Sequence, residues 1–159
     1  MRARAPSFGD FRCAHCQAMV SCAHMLSGVN NRNHCPYCLW SCHLDLFAAG
    51  DRLSACKAPM KPIGLTRKRN RNKYQREPRG ELMLIHECVD CKTLSINRIA
   101  ADDDSGNIMM VFEQSLWLSD QARALCQQKG IVILNMEERV RVRAQLYGYS
   151  AETPALSWA

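Results

Sequence analysis

Residues 30–43 read NNRNHCPYCLWSCH, and within them Cys35 and Cys38 are separated by a proline and a tyrosine. Two further pairs have the same spacing, Cys13 with Cys16 and Cys88 with Cys91. A tight turn can direct two cysteines spaced in this way at one tetrahedral metal ion, with sulfur–zinc distances of about 2.3 Å. Chance rarely places three such pairs in so short a chain. We therefore predict that the chain folds around metal ions.

The composition favours metal ligation over disulfides. The chain has 159 residues and ten cysteines but only 7% aromatic residues, so it can bury only a modest core. No apolar run follows the basic N-terminus as in a secretory signal, and no stretch approaches the roughly 18 apolar residues of a membrane span. We expect a cytoplasmic protein without a membrane partner, and cytosolic thiols are usually reduced.

The first four paired cysteines follow the pattern C-x2-C-x18-C-x2-C, which is typical of a four-cysteine zinc site. They predict one Zn²⁺ in a zinc ribbon, where two facing turns each present two thiolates. The predicted ligands of this first site are Cys13, Cys16, Cys35 and Cys38.

A second Zn²⁺ is predicted from Cys56, Cys88 and Cys91, which need a fourth ligand. We choose His43, because His43 and Cys56 would lie at either end of a short strand and turn. Two alternatives stay open. They are Cys42 and His86, although the position of His86 two residues before Cys88 makes chelation there awkward.

Alternating apolar residues and turn formers predict several short strands. The predicted segments are 11–20 as strand, knuckle and strand, 43–47, 93–100, and a hairpin that pairs 60–65 with 80–85. Leu94 and Ile96 are expected to face inward. The predicted fold class is a small, metal-dominated α+β protein with zinc-ribbon-like β hairpins, two zinc knuckle sites and a C-terminal helical extension.

The sequence pattern changes after the acidic turn 101–106, from short alternating segments to longer apolar ones, and we interpret this turn as a soluble linker. Residues 108–118 are apolar and fit either a strand or a helix. A helix should begin at the N-cap Ser119, end near 129–130 and place Cys126 in the core. A buried strand at 131–134 and a last helix should follow. The expected apolar face of that last helix is formed by Met136, Val140, Ala144 and Tyr147.

These patterns divide the chain into four parts. We predict a flexible tail at 1–9, a zinc-ribbon-like domain at 10–103, a helical extension at 104–150 and a second tail at 151–159.

The letters R-N-H-C-P at 32–36 resemble the bacterial RNHCP family, which is named after them. The similarity extends through the cysteine pairs, His43, Asp45 and Arg52 to residues 97–98, and it covers about residues 10–103. It implies a small zinc-ribbon-like domain with seven matching cysteines and His43 as an eighth ligand, but it supplies no activity. In this context His34 is interpreted as a donor that steadies a thiolate, and Asp45 with Arg52 as an ion pair.

The basic charge is concentrated in one segment, because residues 66–80 contain seven cations and one acid while the net charge of the whole chain is +6. The segment has too few apolar residues to pack a core, so it should be solvated. We predict a non-enzymatic zinc-binding module, with no catalytic residues, that binds RNA or a ribonucleoprotein such as the ribosome. The predicted contact residues are Arg67, Lys68, Arg69, Arg71, Lys73, Tyr74, Arg76 and Arg79, with Tyr74 able to stack on a base.

Three other functions were weighed against RNA binding. A zinc-stabilised adaptor could bind a protein partner through the C-terminal extension. A metal-dependent nuclease of the His-Asn-His type could use Asn33, His34 and His43, although the upstream Asp-His of such enzymes is missing. Thiol redox chemistry at Cys35 and Cys38 would need a helix N-terminus to lower the pKa of the first thiol.

Overall fold

The computed structural model describes residues 9–68 and 80–148. The strands in these ranges are β1 (Phe11–Arg12), β2 (Met19–Val20), β3 (Ser41–Cys42), β4 (Pro59–Arg67), β5 (Leu82–Cys88) and β6 (Leu94–Arg98). The helices are α1 (His24–Ser27), α2 (Ser105–Ser115), α3 (Asp120–Gln128) and α4 (Arg139–Tyr147), and a 3-10 turn at Met136–Glu138 precedes α4. No helix among these residues is long and apolar enough to cross a membrane.

The strands form two antiparallel sheets. β1 and β2 pair around the first cysteine pair, as the sequence predicts, and β3, β4, β5 and β6 form a four-stranded sheet in that order. The predicted hairpin is confirmed with longer strands and a different register: β4 pairs with β5 from Met60 opposite Cys88 to Arg67 opposite Leu82, so residues 80–81 belong to the connection. The register shifts between Pro62 and Gly64. This irregularity accommodates the proline, which has no N–H to donate to a ladder.

The main core lies between the four-stranded sheet and the C-terminal helices. Phe112 of α2 is fully buried and packs in one cluster with Leu65 and Leu84. A Cβ atom at Gly64 would lie 3.2 Å from the Cβ of Ser115, so glycine at this position lets α2 approach β4 closely. The extension therefore completes the core of the sheet, and the predicted α+β class with C-terminal helices is confirmed.

The interpretation of residues 101–106 as a soluble linker is wrong. Asp103 is buried, and Asp104 is the N-cap of α2, accepting a hydrogen bond of 2.7 Å from the N–H of Asn107. A carboxylate at this position satisfies an unpaired N–H of the first helical turn and favours the helix dipole. The acidic turn thus fixes the start of α2 and resolves residues 108–118 as a helix through Ser115, followed by a turn.

The strand predicted at 43–47 is also wrong. The carboxylate of Asp51 accepts hydrogen bonds of 2.8–2.9 Å from the N–H groups of Leu46, Phe47 and Ala48. These N–H groups are the donors that a strand would give to its neighbour, and the side chain of one aspartate holds them in a loop instead. β3 accordingly ends at Cys42.

Four predictions in the second half of the chain have mixed outcomes. Ser119 caps α3 by accepting from Ala122 N–H at 3.2 Å, and Cys126 is fully buried, both as predicted. Residues 131–134 do not form the predicted buried strand: Leu134 donates one backbone bond to Leu65, while Val132 is 64% exposed. Ile96 is 44% exposed, because β6 is the edge strand and pairs only with β5.

The apolar face expected for the last helix is wrong. Val142 is fully buried in the main core and Leu146 packs against it, whereas Val140 is 78% exposed. Valines 140 and 142 lie two positions apart and so point to different sides of a helix. The alternating Arg-Val pattern at 139–143 therefore left two possible faces, and the pair spaced by four, Val142 and Leu146, is the one that packs.

Candidate metal centres

The three cysteine pairs share one backbone arrangement. In each, the N–H of the first cysteine donates at 2.9 Å to a carbonyl five residues later, and the residue after the second cysteine donates back to the first cysteine's carbonyl. The forward bonds join Cys13 to Ala18, Cys35 to Trp40 and Cys88 to Thr93, and the return bonds join Gln17 to Cys13, Leu39 to Cys35 and Lys92 to Cys88. The repeated turn brings both sulfurs of a pair to one side, which is the geometry of a zinc knuckle.

Each knuckle ends on a residue with left-handed backbone. The φ angles are +64° at Gln17, +64° at Leu39 and +62° at Lys92, and Lys57, which follows Cys56, has +53°. Such a conformation costs of order 1–3 kcal/mol for a residue with a Cβ, and it persists only where its surroundings enforce it. Sequence reasoning missed these four positions because none of them is a glycine, the residue that normally signals a positive φ.

The first cluster contains Cys13, Cys16, Cys35 and Cys38, whose sulfurs all lie within 4.8 Å of one another. Two of the sulfur–sulfur distances, Cys13 to Cys38 and Cys16 to Cys35, are 3.6 Å. A regular tetrahedron with zinc–sulfur bonds of about 2.3 Å has edges of about 3.8 Å. The four sulfurs are therefore spaced for one tetrahedral ion.

Burial makes the thiols of the second pair in this cluster, Cys35 and Cys38, difficult to ionise without a metal. It raises the pKa of Cys35 and of Cys38, whereas a hydrogen bond from the backbone of Ala18 lowers the pKa of the exposed Cys16. Metal coordination requires the thiolate form, and a bound divalent ion deprotonates a coordinating thiol outright. The buried sulfurs thus gain a stable charged state only when a cation is shared among them.

The second cluster contains His43, Cys56, Cys88 and Cys91, with ligand atoms again within 4.8 Å of one another. Nδ1 of His43 lies 3.3 Å from Sγ of Cys91, and Sγ of Cys56 lies 3.7 Å from Sγ of Cys88. The side chain of Thr93, which the sequence did not single out, places Oγ1 at 3.2 Å from Sγ of Cys91. Three sulfurs and one imidazole nitrogen form a donor set that suits zinc.

The two alternatives for the fourth position have other partners. Nε2 of His86 lies 2.7 Å from the Leu39 carbonyl and its Nδ1 lies 2.9 Å from the side-chain amide of Asn97, so both ring nitrogens are engaged. Burial lowers the pKa of His86 to about 3, which keeps the ring neutral. Sγ of Cys42 lies 3.2 Å from the Lys57 carbonyl, outside the second cluster. The structure therefore brings His43, rather than Cys42 or His86, to the three cysteines.

This choice of ligand predicts a selective loss of zinc affinity. We expect His43→Ala to weaken zinc binding at the second cluster by more than about a hundredfold, because even supporting partners of ligands are worth 10–100-fold. Competition with a chromophoric chelator, scored as the number of zinc ions released per chain, measures this change. Cys42→Ala is the matched control and should release no extra zinc. A loss in the Cys42 variant with none in the His43 variant would contradict the assignment.

His34 does not contact a thiolate in the manner that we expected. Its Nε2 lies 2.7 Å from Oδ2 of Asp103, and Asp103 also accepts from Arg32 at 3.3 Å. The Arg32 Nε donates to the His34 carbonyl at 3.1 Å. Arg32 and His34 therefore anchor the chain just before Cys35 to the turn that precedes α2, and their support for the first cluster is indirect.

The other two residues of interest outside the clusters, Asp45 and Arg52, form the expected ion pair. Nη1 of Arg52 lies 3.8 Å from Oδ1 of Asp45. The same Asp45 carboxylate accepts from the N–H groups of Gly50 and Arg52 and from the side chain of Asn33, which lowers its pKa against the opposing effect of burial. The pair closes the loop between β3 and Cys56.

The arrangement does not favour the nuclease or redox hypotheses. His34 is 2% exposed and paired with Asp103, Asn33 is buried against Asp45, and His43 lies in the second cluster. None of the three side chains is presented to solvent as a hydrolytic base would be. Cys35 is fully buried, a turn and β3 follow it rather than a helix, and all ten cysteines, each within the described ranges, are unbonded to one another.

The structure describes only two of the predicted nucleic-acid contacts. Nη2 of Arg67 forms an ion pair of 3.0 Å with Glu138, its Nη1 contacts Gln145, and its side chain is only 11% exposed. Arg67 thus joins β4 to the last helix, and we withdraw it from the candidate contacts. Lys68 is exposed. The remaining candidates, Arg69, Arg71, Lys73, Tyr74, Arg76 and Arg79, lie outside the described residues.

The fold and the two clusters define a small zinc-ribbon-like metal-binding domain that carries a helical extension. A family model described as the RNHCP domain matches residues 8–109, and the chain belongs to this family. Comparison with curated proteins and with solved structures found no match to the chain. The family match and the clusters together support a zinc-binding domain.

Proposed function

We propose that this chain is a non-enzymatic module that binds two Zn²⁺ ions and uses its four-stranded sheet to present a basic segment to RNA, either free or in a ribonucleoprotein. The observation that carries this proposal is the position of the segment in the fold. Residues 66–80 comprise the last two residues of β4 and most of the connection from β4 to β5, and they hold the excess positive charge of the chain.

The two ends of the basic segment are held by the sheet. The N–H of Lys68 donates to the Glu81 carbonyl at 2.8 Å, and Nη1 of Arg67 donates to the Gly80 carbonyl at 3.2 Å. A Cβ atom at Gly80 would lie 2.2 Å from the Lys68 carbonyl oxygen, so only glycine allows the two ends to approach this closely. The segment therefore begins and ends at fixed positions on the sheet, and a concentrated positive charge favours a polyanion.

RNA is favoured over duplex DNA by the position of the basic segment between two strands. The longest helix in the described residues, α2, has 11 residues and buries one face against β4, and the others are shorter. The basic segment connects two strands of the sheet, whereas a helix-turn-helix protein places its contact residues on a helix that enters the major groove. Loops and aromatic side chains, by contrast, are the usual means of contacting single-stranded RNA.

The proposal predicts a salt-dependent affinity that depends on the basic segment. We expect the triple variant Lys68→Ala, Arg69→Ala, Arg71→Ala to weaken binding to a fluorescent single-stranded RNA. The slope of log K against log salt should fall in magnitude by about two, since each phosphate contact on a single strand contributes about 0.7. Fluorescence anisotropy at several salt concentrations measures both quantities.

A matched control removes the same charge elsewhere. Lys92, Lys129 and Arg143 are exposed cations outside the segment, and their triple alanine variant should keep the affinity within about twofold and the slope nearly unchanged. If both triple variants lost RNA affinity equally, the affinity would depend on the net charge of the chain and not on the basic segment. No loss in the segment variant would refute the proposed function.

A protein component of a ribonucleoprotein is a second proposed contact, through the C-terminal extension. Trp117 is 88% exposed and Val132 is 64% exposed, and exposed aromatic residues often anchor protein interfaces. In the same assay, with purified ribosomes in place of naked RNA, Trp117→Ser should weaken ribosome binding. It should leave binding to naked RNA unchanged.

A further inference from the structure

The two knuckles of the first cluster present a stacked aromatic pair. The rings of His15 and Trp40 are stacked, with centroids 4.1 Å apart and planes 5° from parallel. His15 lies inside the first knuckle, between Cys13 and Cys16, and Trp40 closes the second knuckle by accepting the N–H of Cys35 at 2.9 Å. An ion in the first cluster would therefore fix the two rings relative to each other.

Trp40 lines two clefts. The first has a volume of about 230 Å³ and is lined by Phe11, Arg12 and His15 among others. The second has a volume of about 310 Å³ and is lined by Tyr37, Lys61 and Met110 among others. These volumes are at or below the lower end of those that hold drug-sized ligands, so each cleft suits a group the size of a base.

The charges around Trp40 select the class of ligand. The exposed cations Arg12 and Lys61 lie in the two clefts, and no aspartate or glutamate of ranges 9–68 and 80–148 lines either cleft. Tyr37 is 59% exposed and adds a second accessible aromatic ring beside Trp40. Flat aromatic surfaces flanked by cations match a strand of unpaired bases joined by phosphates, whereas a duplex would keep its bases stacked inside.

We propose, building on the RNA-binding function above, that Trp40 and its partner His15 form a stacking platform for an unpaired ribonucleotide base, with Arg12 and Lys61 contacting phosphates of the same strand. The basic segment at 66–80 supplies affinity for any RNA. The platform supplies the preference for single strands.

The direct test uses Trp40 as the only tryptophan. The chain has three tryptophans, so Trp117→Phe with Trp158→Phe leaves the emission of Trp40 alone. With excitation at the red edge of the tryptophan band, where adenine does not absorb, AMP should quench this emission and ribose 5-phosphate should not. Absence of quenching by AMP, or equal quenching by both, would overturn the platform whether or not the chain binds RNA.

Affinity measurements separate the platform from the proposed function. Trp40→Leu in the full chain should weaken binding to an unpaired oligoribonucleotide by about five- to a hundredfold, the usual range for one stacked base. Binding to a duplex of equal length and the salt slope should not change, because no charge is removed. Trp117→Leu is the control and should bind as the wild type does.

The two ideas fail in different ways. If the basic-segment variant loses RNA binding and the Trp40 variant retains full single-strand affinity, the platform is wrong and the proposed function stands.

Because Trp40 is partly buried, zinc content must be equal in all variants. The pair Arg12→Ala with Lys61→Ala, two exposed positions, provides a second measurement, and an unchanged single-strand affinity in this pair would also count against the platform.

Discussion

Complete removal of metal with a strong chelator should unfold the N-terminal half of this chain before the C-terminal half. Structural zinc supplies about 10–16 kcal/mol of apparent binding free energy near neutral pH, whereas a domain has a net stability of only about 5–15 kcal/mol. β1, β2 and β3 have two residues each, and the buried cluster around Cys13 and Cys35 adds only Val20. These segments bury little apolar surface, so little else stabilises them once the four sulfurs no longer share an ion.

The sheet beneath α2 has an apolar core of its own. Phe112, Leu65 and Leu84 are fully buried there. They belong to a group of ten buried apolar residues, and none of the ten is a candidate metal ligand. After chelation, amide hydrogen exchange should accelerate first in residues 11–58, while the amides of β4 and β5 next to α2 keep more of their protection. Uniform protection after verified metal loss would contradict this view of the fold.

Single cysteine variants test the dependence of the fold on metal without a chelator. Cys35→Ser should remove the ion of the first cluster and lower the melting temperature strongly, because an incomplete site leaves three thiols with no shared cation. Cys22→Ser, which changes a thiol outside both clusters, should keep both ions and the wild-type melting temperature within a few degrees. Native mass spectrometry counts the ions in each variant.

The sequence predicted the metal-dependent part of the fold better than the loops around it. The spacing of the cysteine pairs constrained the first cluster, because a ligand pair leaves little freedom of geometry. The hairpin of β4 and β5 followed from two apolar runs on either side of a segment with almost no apolar residues. These features depend on local patterns, which a single sequence displays.

The remaining features depend on contacts between distant residues. Asp51 replaced a predicted strand with a loop through its carboxylate, and the choice of Val142 over Val140 on α4 depended on where the sheet lay. Arg32 and Asp103 form the most buried ion pair among the described residues, and the sequence did not predict it because the two residues are 71 positions apart. The sequence around Arg32 and the sequence around Asp103 contain no pattern that predicts this pairing.

Asp103→Ala should destabilise the chain by about 3–5 kcal/mol, the usual cost of breaking a buried ion pair, because Arg32 then keeps only the partly exposed Asp102 as a charged partner. The side chains of Arg32 and Asp103 both have 0% exposure, and the carboxylate also receives the N–H of Ala100 at 2.8 Å. In a protein of this size about 1 kcal/mol corresponds to about 2–4 °C in melting temperature, so a fall of about 6–20 °C is expected. Thermal unfolding of the zinc-loaded chain measures it.

Asp102→Ala is the matched control for the same arginine. Asp102 lies 2.8 Å from Nη1 of Arg32, closer than Asp103, but its side chain is 32% exposed. A partly exposed pair is screened by water and contributes at most about 1 kcal/mol. The double variant Arg32→Met with Asp103→Leu should be less destabilised than Asp103→Ala alone, since it leaves no buried charge unpaired. Equal destabilisation by Asp102→Ala and Asp103→Ala would show that distance, rather than burial, determines the strength of this ion pair.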